Sequence, residues 1–403
     1  MGFYTSASFF IALAIVAVPA VALGASGRRI KPWGMVASVA MLAFLFADSR
    51  RALVAFLLFV ALATASAYAM LSSWKSGRRS MAVYRISLAA TLVPLVVYKV
   101  SAAVDAPGFL GFIGISYLTF RAVQVVVEIR DGLIEDLPLA DYLYFLTFFA
   151  TITSGPIDRS RRFLEDANTA LAPAAYRDLA TRGVLMLLAG AVMQLALATM
   201  VHGFTDPWAV NGALAMPNIL ALGLPWGVGS LVRAYGYAVY LYLDFAGYSL
   251  MAAGACYLFG IQCPTNFNAP WRALDLKDFW NRWHITLSTW LRDFVFMRFV
   301  RGLTRRHVFK KRLTTACCGY VVNMFLMGMW HGLTPDYLLY GLYHGVLLAA
   351  TEAYQKRCPF YKRNKGKRWY KVLSWFVTMN LVIIGFSLFS GQVGEAVRRM
   401  IYG

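Results

Sequence analysis

The chain contains few charged residues, and acidic residues are especially scarce. Only 14% of its 403 residues are charged, and 19 acidic residues stand against 39 basic ones, giving a formal net charge of +20. Hydrophobic residues make up 59% of the chain, whereas soluble proteins contain about 45–50%. This composition argues against a soluble enzyme and predicts a polytopic membrane protein with basic cytoplasmic loops. No nucleic-acid-binding motif accompanies the charge, so we expect no nucleic-acid partner.

Motifs for several common chemistries are missing. The sequence has no HExxH zinc motif, no glycine-rich phosphate loop and no GxSxG nucleophile elbow, so ATP-driven transport is unsupported. The spacing of the five cysteines matches no metal or redox pattern, and we interpret them as buried small hydrophobic residues. They are Cys256, Cys263, Cys317, Cys318 and Cys358. We therefore predict no metal site and no permanently bound cofactor.

Apolar segments recur along the whole chain. They predict about eleven full membrane crossings of roughly 20 residues each, with shorter re-entrant or interfacial helices such as 217–226 between them. Helices close every backbone hydrogen bond in lipid, so we predict one all-α transmembrane domain over residues 1–403. Basic residues follow the first apolar run instead of preceding it, which predicts a retained first span with the N-terminus outside.

One stretch, residues 278–331, carries a histidine near each end. It begins with the letters DFWNRWH, ends with MWH, and contains a basic segment followed by an uncharged run at 313–330. About 18 helical residues cover about 27 Å, close to the thickness of a hydrocarbon core. We therefore expect His331 near the face opposite the basic segment and His284 nearer the cytoplasm. Such a pair could join chemistry across the bilayer.

Helical spacing of tryptophan and leucine predicts one interfacial helix at 279–292. Asn281, His284 and Ser288 would share a face of this helix and form a polar group. The alternative is that His284 is an ordinary interfacial residue. His202 follows a predicted span and is expected to be an exposed loop residue.

Asp244 is an acidic residue inside the apolar segment 231–261. This segment is too long for one straight crossing and predicts either one long tilted helix or two elements. An acid in such a setting is costly and is a candidate for function, although a structural hydrogen bond explains it equally well. The segment 154–159, with the letters SGPIDR, predicts either a loop or a broken helix.

Histidines, hydroxyls and a buried acid are the reactive groups that remain. A histidine can take a proton from an acceptor hydroxyl near neutral pH, and a low dielectric favours its neutral base form. An acyl thioester is a suitable electrophile for that reaction. On the residues alone, acyl transfer stays open beside a transporter or flippase that uses the histidines as proton relays.

Four blocks of the sequence resemble the membrane-bound O-acyltransferase (MBOAT) family. They are the two histidine motifs together with YLDFAGYS at 242–249 and NFNAP at 266–270. Within the family, SGPIDR and WLRDFVFMRFV at 290–300 are similar to the branch of DltB-type D-alanyl transfer proteins. Leu250 stands where the alginate O-acetyltransferase branch typically has aspartate, which disfavours that alternative.

The resemblance implies an MBOAT-like ring of helices with a central tunnel. It also implies a multi-pass acyltransferase of the cytoplasmic membrane that takes D-alanine from the phosphopantetheine thioester of an acidic carrier protein in the cytoplasm. Extracytoplasmic D-alanyl transfer proteins would help pass it to teichoic acid or a similar envelope polymer. The alternatives are an O-acetyltransferase of an exopolysaccharide and, from another class, a transporter or flippase.

The same resemblance gives roles to individual residues. His331 matches the histidine usually assigned as catalytic, here the general base, and His284 matches the second motif histidine. The substrate-positioning residues would be Asn281, Ser288, Asp244 and Trp330. Apolar residues set among cations suit an acidic carrier, although the same segment could be a plain positive-inside anchor. The residues predicted to bind the carrier are Val300, Arg301, Arg305, Val308 and Phe309.

Overall fold

The computed structural model describes residues 3–104, 111–205 and 226–402, and all regular structure in these ranges is helical. The predicted all-α class is therefore confirmed. Six helices in this part of the chain are long and apolar enough to cross a membrane, in agreement with a multi-pass membrane protein. The predicted re-entrant segment 217–226 falls outside the described residues except for its last position.

The chain divides into two compact units, and the prediction of one domain over residues 1–403 stays a prediction. The first unit contains α1 (Ala7–Ala25), α2 (Lys31–Leu45), α3 (Arg50–Lys75), α4 (Met81–Ala103), α5 (Ile115–Arg130), α6 (Leu139–Thr147), α7 (Ser160–Asn168), α8 (Pro173–Ala191) and the end of α10. The second contains α9 (Thr199–Thr205), most of α10 (Trp226–Leu258), α11 (Leu276–Trp280), α12 (Ile285–Leu291), α13 (Met297–Arg305), α14 (Arg312–His331), α15 (Pro335–Arg357), α16 (Pro359–Asn364), α17 (Arg368–Phe389) and α18 (Gln392–Tyr402).

A buried arginine organises the middle of the first unit. Arg121 of α5 is 2% exposed and donates hydrogen bonds to the carbonyl oxygens of Phe145 and Leu146, both at 2.9 Å. The last carbonyls of a helix have no partner within the helix, so a buried donor at that point satisfies them. This contact stabilises the end of α6 at Thr147.

The SGPIDR segment forms a loop, which is one of the two predicted alternatives. A cis peptide bond joins Gly155 to Pro156, and α7 begins at Ser160. The buried carboxylate of Asp158 accepts a hydrogen bond from Arg162 Nε at 2.7 Å, so the charge of this aspartate is paired within the loop and the first turn of α7.

In the second unit, α14 and α15 approach each other closely through glycines. A Cβ atom added to Gly341 would lie 2.6 Å from the carbonyl oxygen of Met324 and 3.0 Å from the Cα of Gly328. Gly345 faces Val321 in the same way, so the two helices run antiparallel. Small residues at such a crossing let two helix backbones touch. The predicted uncharged run at 313–330 is confirmed as helical, because α14 contains all of it.

Two sequence predictions about the remaining segments can be compared with the structure. The long segment near 231–261 forms one helix, α10, of 33 residues.

The prediction that His202 is an exposed loop residue is wrong. A π-helical turn, Val192–Ala198, links α8 to α9, so the helix continues to Thr205 and the His202 ring stacks on Tyr240 at 4.4 Å.

Candidate active site

The segment that carries His284 is not one helix, so the predicted helix at 279–292 is wrong. It contains two short helices, α11 and α12, and His284 lies between them with φ 45° and ψ 50°. This left-handed conformation is uncommon for a residue other than glycine and breaks the helical spacing. Asn281 and Ser288 therefore do not share a continuous helix face with His284. Asn281 is exposed, and the Ser288 hydroxyl donates to the carbonyl oxygen of Trp283 at 3.3 Å.

Asn266 fixes the orientation of His284. Its side-chain oxygen lies 3.1 Å from His284 Nδ1 and accepts hydrogen bonds from the Thr286 hydroxyl at 2.9 Å and the Thr286 amide at 3.3 Å. Its backbone oxygen accepts from the amide of Ile285 at 2.9 Å. An amide oxygen can only accept, so the geometry favours a proton on Nδ1 and a free electron pair on Nε2.

His284 lies in an apolar, aromatic environment. Its side chain is buried, and its ring meets Phe245 of α10 edge to face at 4.7 Å between centroids. Burial, and to a smaller extent the nearby His331, lower the pKa of His284 well below its usual range. The imidazole is therefore neutral at physiological pH, which is the form that can accept a proton.

Trp330 brings the two motif histidines together. Its ring centroid lies 6.4 Å from that of His284 and 4.5 Å from that of His331. The two imidazoles can be no farther apart than the sum of these distances, which is about a third of a roughly 30 Å hydrocarbon core. The expectation that the histidines lie near opposite faces is wrong. His331 does lie at the end of α14 farthest from Arg312, and His284 folds back to meet it.

Aromatic rings from two further helices, α15 and α17, lie beside His331. Tyr337 and Tyr340 of α15 lie at 6.0 Å and 6.2 Å, and Phe389 of α17 meets the ring edge to face at 4.9 Å. The histidine is half-buried, so the aromatic wall leaves part of its ring accessible. A half-buried imidazole among aromatic rings can exchange a proton with a bound substrate while most water is excluded.

Asp244 forms a separate polar contact in the second unit. Gln194, from the π-helical turn before α9, donates a hydrogen bond to the Asp244 carboxylate at 3.0 Å. The carboxylate is half-buried, and the next residue, Phe245, touches His284. The observed contact of Asp244 is therefore a hydrogen bond with Gln194, and Phe245 makes the contact with His284.

The predicted carrier surface is largely exposed. Arg301 and Arg305 of α13 are exposed, and Val308 and Phe309 are 51% and 37% exposed in the loop that follows. Val300 differs, because its side chain is half-buried and faces α14 at Gly319. Four of the five predicted residues thus form an exposed basic and apolar surface.

Sequence reasoning missed several residues of this site. Asn266 belongs to the NFNAP block but has no role of its own in the sequence analysis, and only the fold shows that it contacts His284. Phe245 belongs to the YLDFAGYS block, in which only Asp244 was singled out, and Tyr337, Tyr340 and Phe389 belong to ordinary apolar runs. Aromatic residues in a membrane helix carry no signal that distinguishes a site wall from core packing.

The chain is similar to proteins of a known family over most of its length. The membrane-bound O-acyltransferase family matches residues 41–391 of the chain. A teichoic acid D-alanyltransferase of Bacillus subtilis (strain 168) is 38% identical over 400 residues, covering 96% of this chain and 98% of the relative. A teichoic acid D-alanyltransferase of Streptococcus thermophilus is 36% identical, covering 80% of this chain and 79% of the relative.

A more distant similarity covers only part of its relative. A protein named probable alginate O-acetylase AlgI, from Pseudomonas aeruginosa, is 29% identical over 292 residues, which are 72% of this chain and 50% of that protein. The chain belongs to the membrane-bound O-acyltransferase family, as its motifs predict. Within the family, it is similar to the teichoic acid D-alanyltransferases over most of its length.

Proposed function

We propose that this chain is an acyltransferase that transfers D-alanine to teichoic acid or a similar envelope polymer. The observation that carries this proposal is the convergence of His284 and His331 on Trp330 within an aromatic environment. Near-full-length similarity to proteins named teichoic acid D-alanyltransferase supports the choice of D-alanine and of the acceptor. The alginate-type alternative has weaker support, because that similarity covers half of the relative.

The reaction we propose is direct acyl transfer from a thioester. The oxygen of an acceptor hydroxyl attacks the thioester carbonyl carbon, and His331 takes the hydroxyl proton. The new carbon–oxygen bond forms as the carbon–sulfur bond breaks, and the sulfur leaves with the electron pair of that bond. The proton held by His331 then passes to the departing thiolate. The products are an ester and a free thiol, so atoms and charge balance without an added cofactor.

His284 would hold the thioester for this attack. Its Nδ1 is committed to Asn266, and Nε2 is buried with no hydrogen-bond partner among the described residues. A neutral, fixed imidazole suits the placement of an uncharged thioester arm. The substrate-positioning roles of Asn281, Ser288, Asp244 and Trp330 remain part of this proposal.

The thioester would be carried on the phosphopantetheine arm of a small acidic protein. The exposed cations and apolar side chains at 301–309 support docking of such a carrier, since charge steers the encounter and an apolar centre holds the complex. Val300 packs against Gly319 of α14 and would hold α13, which carries this surface, in place. Extracytoplasmic partner proteins would help to pass the D-alanyl group to the polymer.

We further propose the membrane arrangement that the family resemblance implies. It has about eleven crossings arranged as a ring around a thin centre with a tunnel. The protein would lie in the cytoplasmic membrane with its N-terminus outside and the segment 301–312 inside, because basic loops favour the cytoplasmic side.

The test is an assay with purified components. A carrier loaded with radiolabelled D-alanine thioester is mixed with the protein in liposomes that also contain the acceptor, and loss of label from the carrier is followed. We expect unloading by the wild type and none by His331→Ala. The control is Arg29→Ala, since Arg29 is an exposed residue of the first unit and belongs neither to the histidine pair nor to the segment 301–309.

Each other outcome has a defined meaning. Unloading that persists in His331→Ala would remove the general-base role of His331. Consumption of an acetyl donor but not of the D-alanyl carrier would favour an exopolysaccharide O-acetyltransferase. Movement of a polymer across the liposome membrane without consumption of the carrier thioester would favour a flippase.

A further inference from the structure

A third histidine of the second unit lies completely inside the protein. His344 of α15 has 0% exposure and no part in the transfer reaction described above. Its ring meets Trp280 of α11 edge to face at 5.2 Å and Tyr340 at 4.7 Å. It is thus enclosed by aromatic rings, an environment in which a polar ring is normally avoided unless its nitrogens have partners.

Three buried polar atoms in this small region have no hydrogen-bond partner among the described residues. They are Nδ1 and Nε2 of His344 and the indole Nε1 of Trp280. A buried polar group without a partner lowers stability, so such groups usually bind an internal water molecule. An indole can only donate a hydrogen bond, whereas a neutral imidazole both donates and accepts. A water placed between the indole N–H and one imidazole nitrogen would satisfy both of those atoms.

A glycine gives His344 the space that it occupies. A Cβ atom added to Gly385 of α17 would collide with His344 Nε2. The backbone of α17 therefore lies directly against one edge of the imidazole. Elements from three parts of the chain, α11, α15 and α17, meet at this one ring.

The neighbours of His344 lead to both motif histidines. Trp280 ends α11, four residues before His284, while Tyr340 lies one helical turn before His344 and 6.2 Å from His331. A shift of Trp280 would move the segment that holds His284, and a shift of Tyr340 would change the wall beside His331. His344 is in contact with both.

We propose that His344 is a positioning residue, which binds an internal water together with Trp280 and thereby holds the His284 segment at a fixed distance from the wall of His331. The catalytic part of this inference rests on the proposed D-alanyl transfer. The water-bridged contact itself does not depend on which acyl group is transferred.

The test compares variants that separate ring packing from hydrogen bonding. His344→Phe keeps an aromatic ring and removes both nitrogens, His344→Gln keeps polar atoms, and Trp280→Phe removes the indole nitrogen. Misplacement of a reacting group by about 1 Å can reduce a rate about 100-fold. We expect His344→Phe to lower kcat for carrier unloading by about 10- to 100-fold with an unchanged KM for the carrier, and His344→Gln to restore most of the rate.

A double-mutant cycle measures whether the two side chains share one contact. We expect the Tm loss of the double variant His344→Phe/Trp280→Phe to be close to that of the more damaging single variant. The control is Tyr343→Phe, which removes a hydroxyl that donates to the Leu381 carbonyl oxygen at 2.9 Å but leaves the nitrogens of His344 intact. This control should lower Tm without lowering kcat per folded molecule.

Two results would overturn the inference. One is wild-type kcat in His344→Phe, and the other is fully additive Tm losses in the cycle. A wild-type protein that unloads no D-alanyl carrier would instead refute the proposed function. The Tm cycle would still decide whether His344 and Trp280 share a bound water.

Discussion

The imidazole Nδ1 of His284 lies 3.1 Å from the amide oxygen of Asn266, which comes 18 residues earlier in the chain. The same oxygen accepts two hydrogen bonds from Thr286. One asparagine therefore fixes both the backbone after His284 and the tautomer of its ring. Because Nδ1 is occupied, only Nε2 is available to a substrate.

The first prediction compares this asparagine with a second, exposed asparagine of the same block. Asn266→Ala leaves buried donors without an acceptor, so it should lower the free energy of unfolding by about 1–3 kcal/mol and strongly reduce carrier unloading. Asn268→Ala changes an exposed side chain of the same NFNAP block and serves as the matched control. Melting curves and unloading rates of both variants measure the difference. Loss of activity in Asn268→Ala but not in Asn266→Ala would contradict the assignment.

The second prediction concerns acid sensitivity. The pKa of His284 is lowered in the folded protein, while an unfolded histidine titrates near about 6.5. Protonation therefore favours the unfolded chain, and the stability that neutral His284 contributes is present above about pH 6.5 and lost as pH falls below it. One such group changes stability by at most about 1.4 kcal/mol per pH unit. Between pH 7.5 and 5.5, the Tm of the wild type should therefore fall more steeply than that of His284→Asn. Equal pH slopes of Tm for the two proteins would contradict this prediction.

The third prediction concerns the close approach of α14 and α15. Gly341→Ala would push a methyl group against the backbone of Met324 and Gly328, and we expect a loss of about 1–3 kcal/mol because backbone atoms must move. Gly302→Ala is the control, since nothing lies within 4 Å of its added Cβ. Thermal melts of both variants in the same detergent test this difference. A Tm of Gly341→Ala equal to that of the wild type would show that α14 and α15 can admit the added methyl group without loss of stability.

The fourth prediction concerns the carrier surface. Arg305→Glu should raise the KM for the loaded carrier by at least about 10-fold and leave kcat unchanged, because surface charge acts on the encounter. The difference from the wild type should shrink at high salt, where surface charges are screened. Arg29→Glu reverses an exposed cation in the first unit and should leave KM unchanged. An identical KM for the wild type and Arg305→Glu would rule out docking at this residue.

The sequence predicted those features that depend on continuous hydrophobic runs. The run at 313–330 became α14, and the basic residues before it and the histidine after it mark its two ends. The break at His284 was not predictable, because Trp280, Trp283 and Leu287 keep helical spacing across it. The contact with Asn266 joins two separate segments, and no local pattern reports such a contact. Likewise, the π-helical turn that extends the helix to His202 has no hydropathy signal.

The left-handed backbone at His284 has a consequence for how variants of this position are read. Side chains branched at Cβ fit poorly at φ 45°, whereas asparagine and glycine adopt this conformation readily. In a saturation library selected only for correct folding, Asn and Gly should be enriched over Val, Ile and Thr at position 284. An alanine at this position therefore reports on the turn as well as on the missing imidazole. The contribution of the imidazole ring itself is measured by comparing the wild type with His284→Asn.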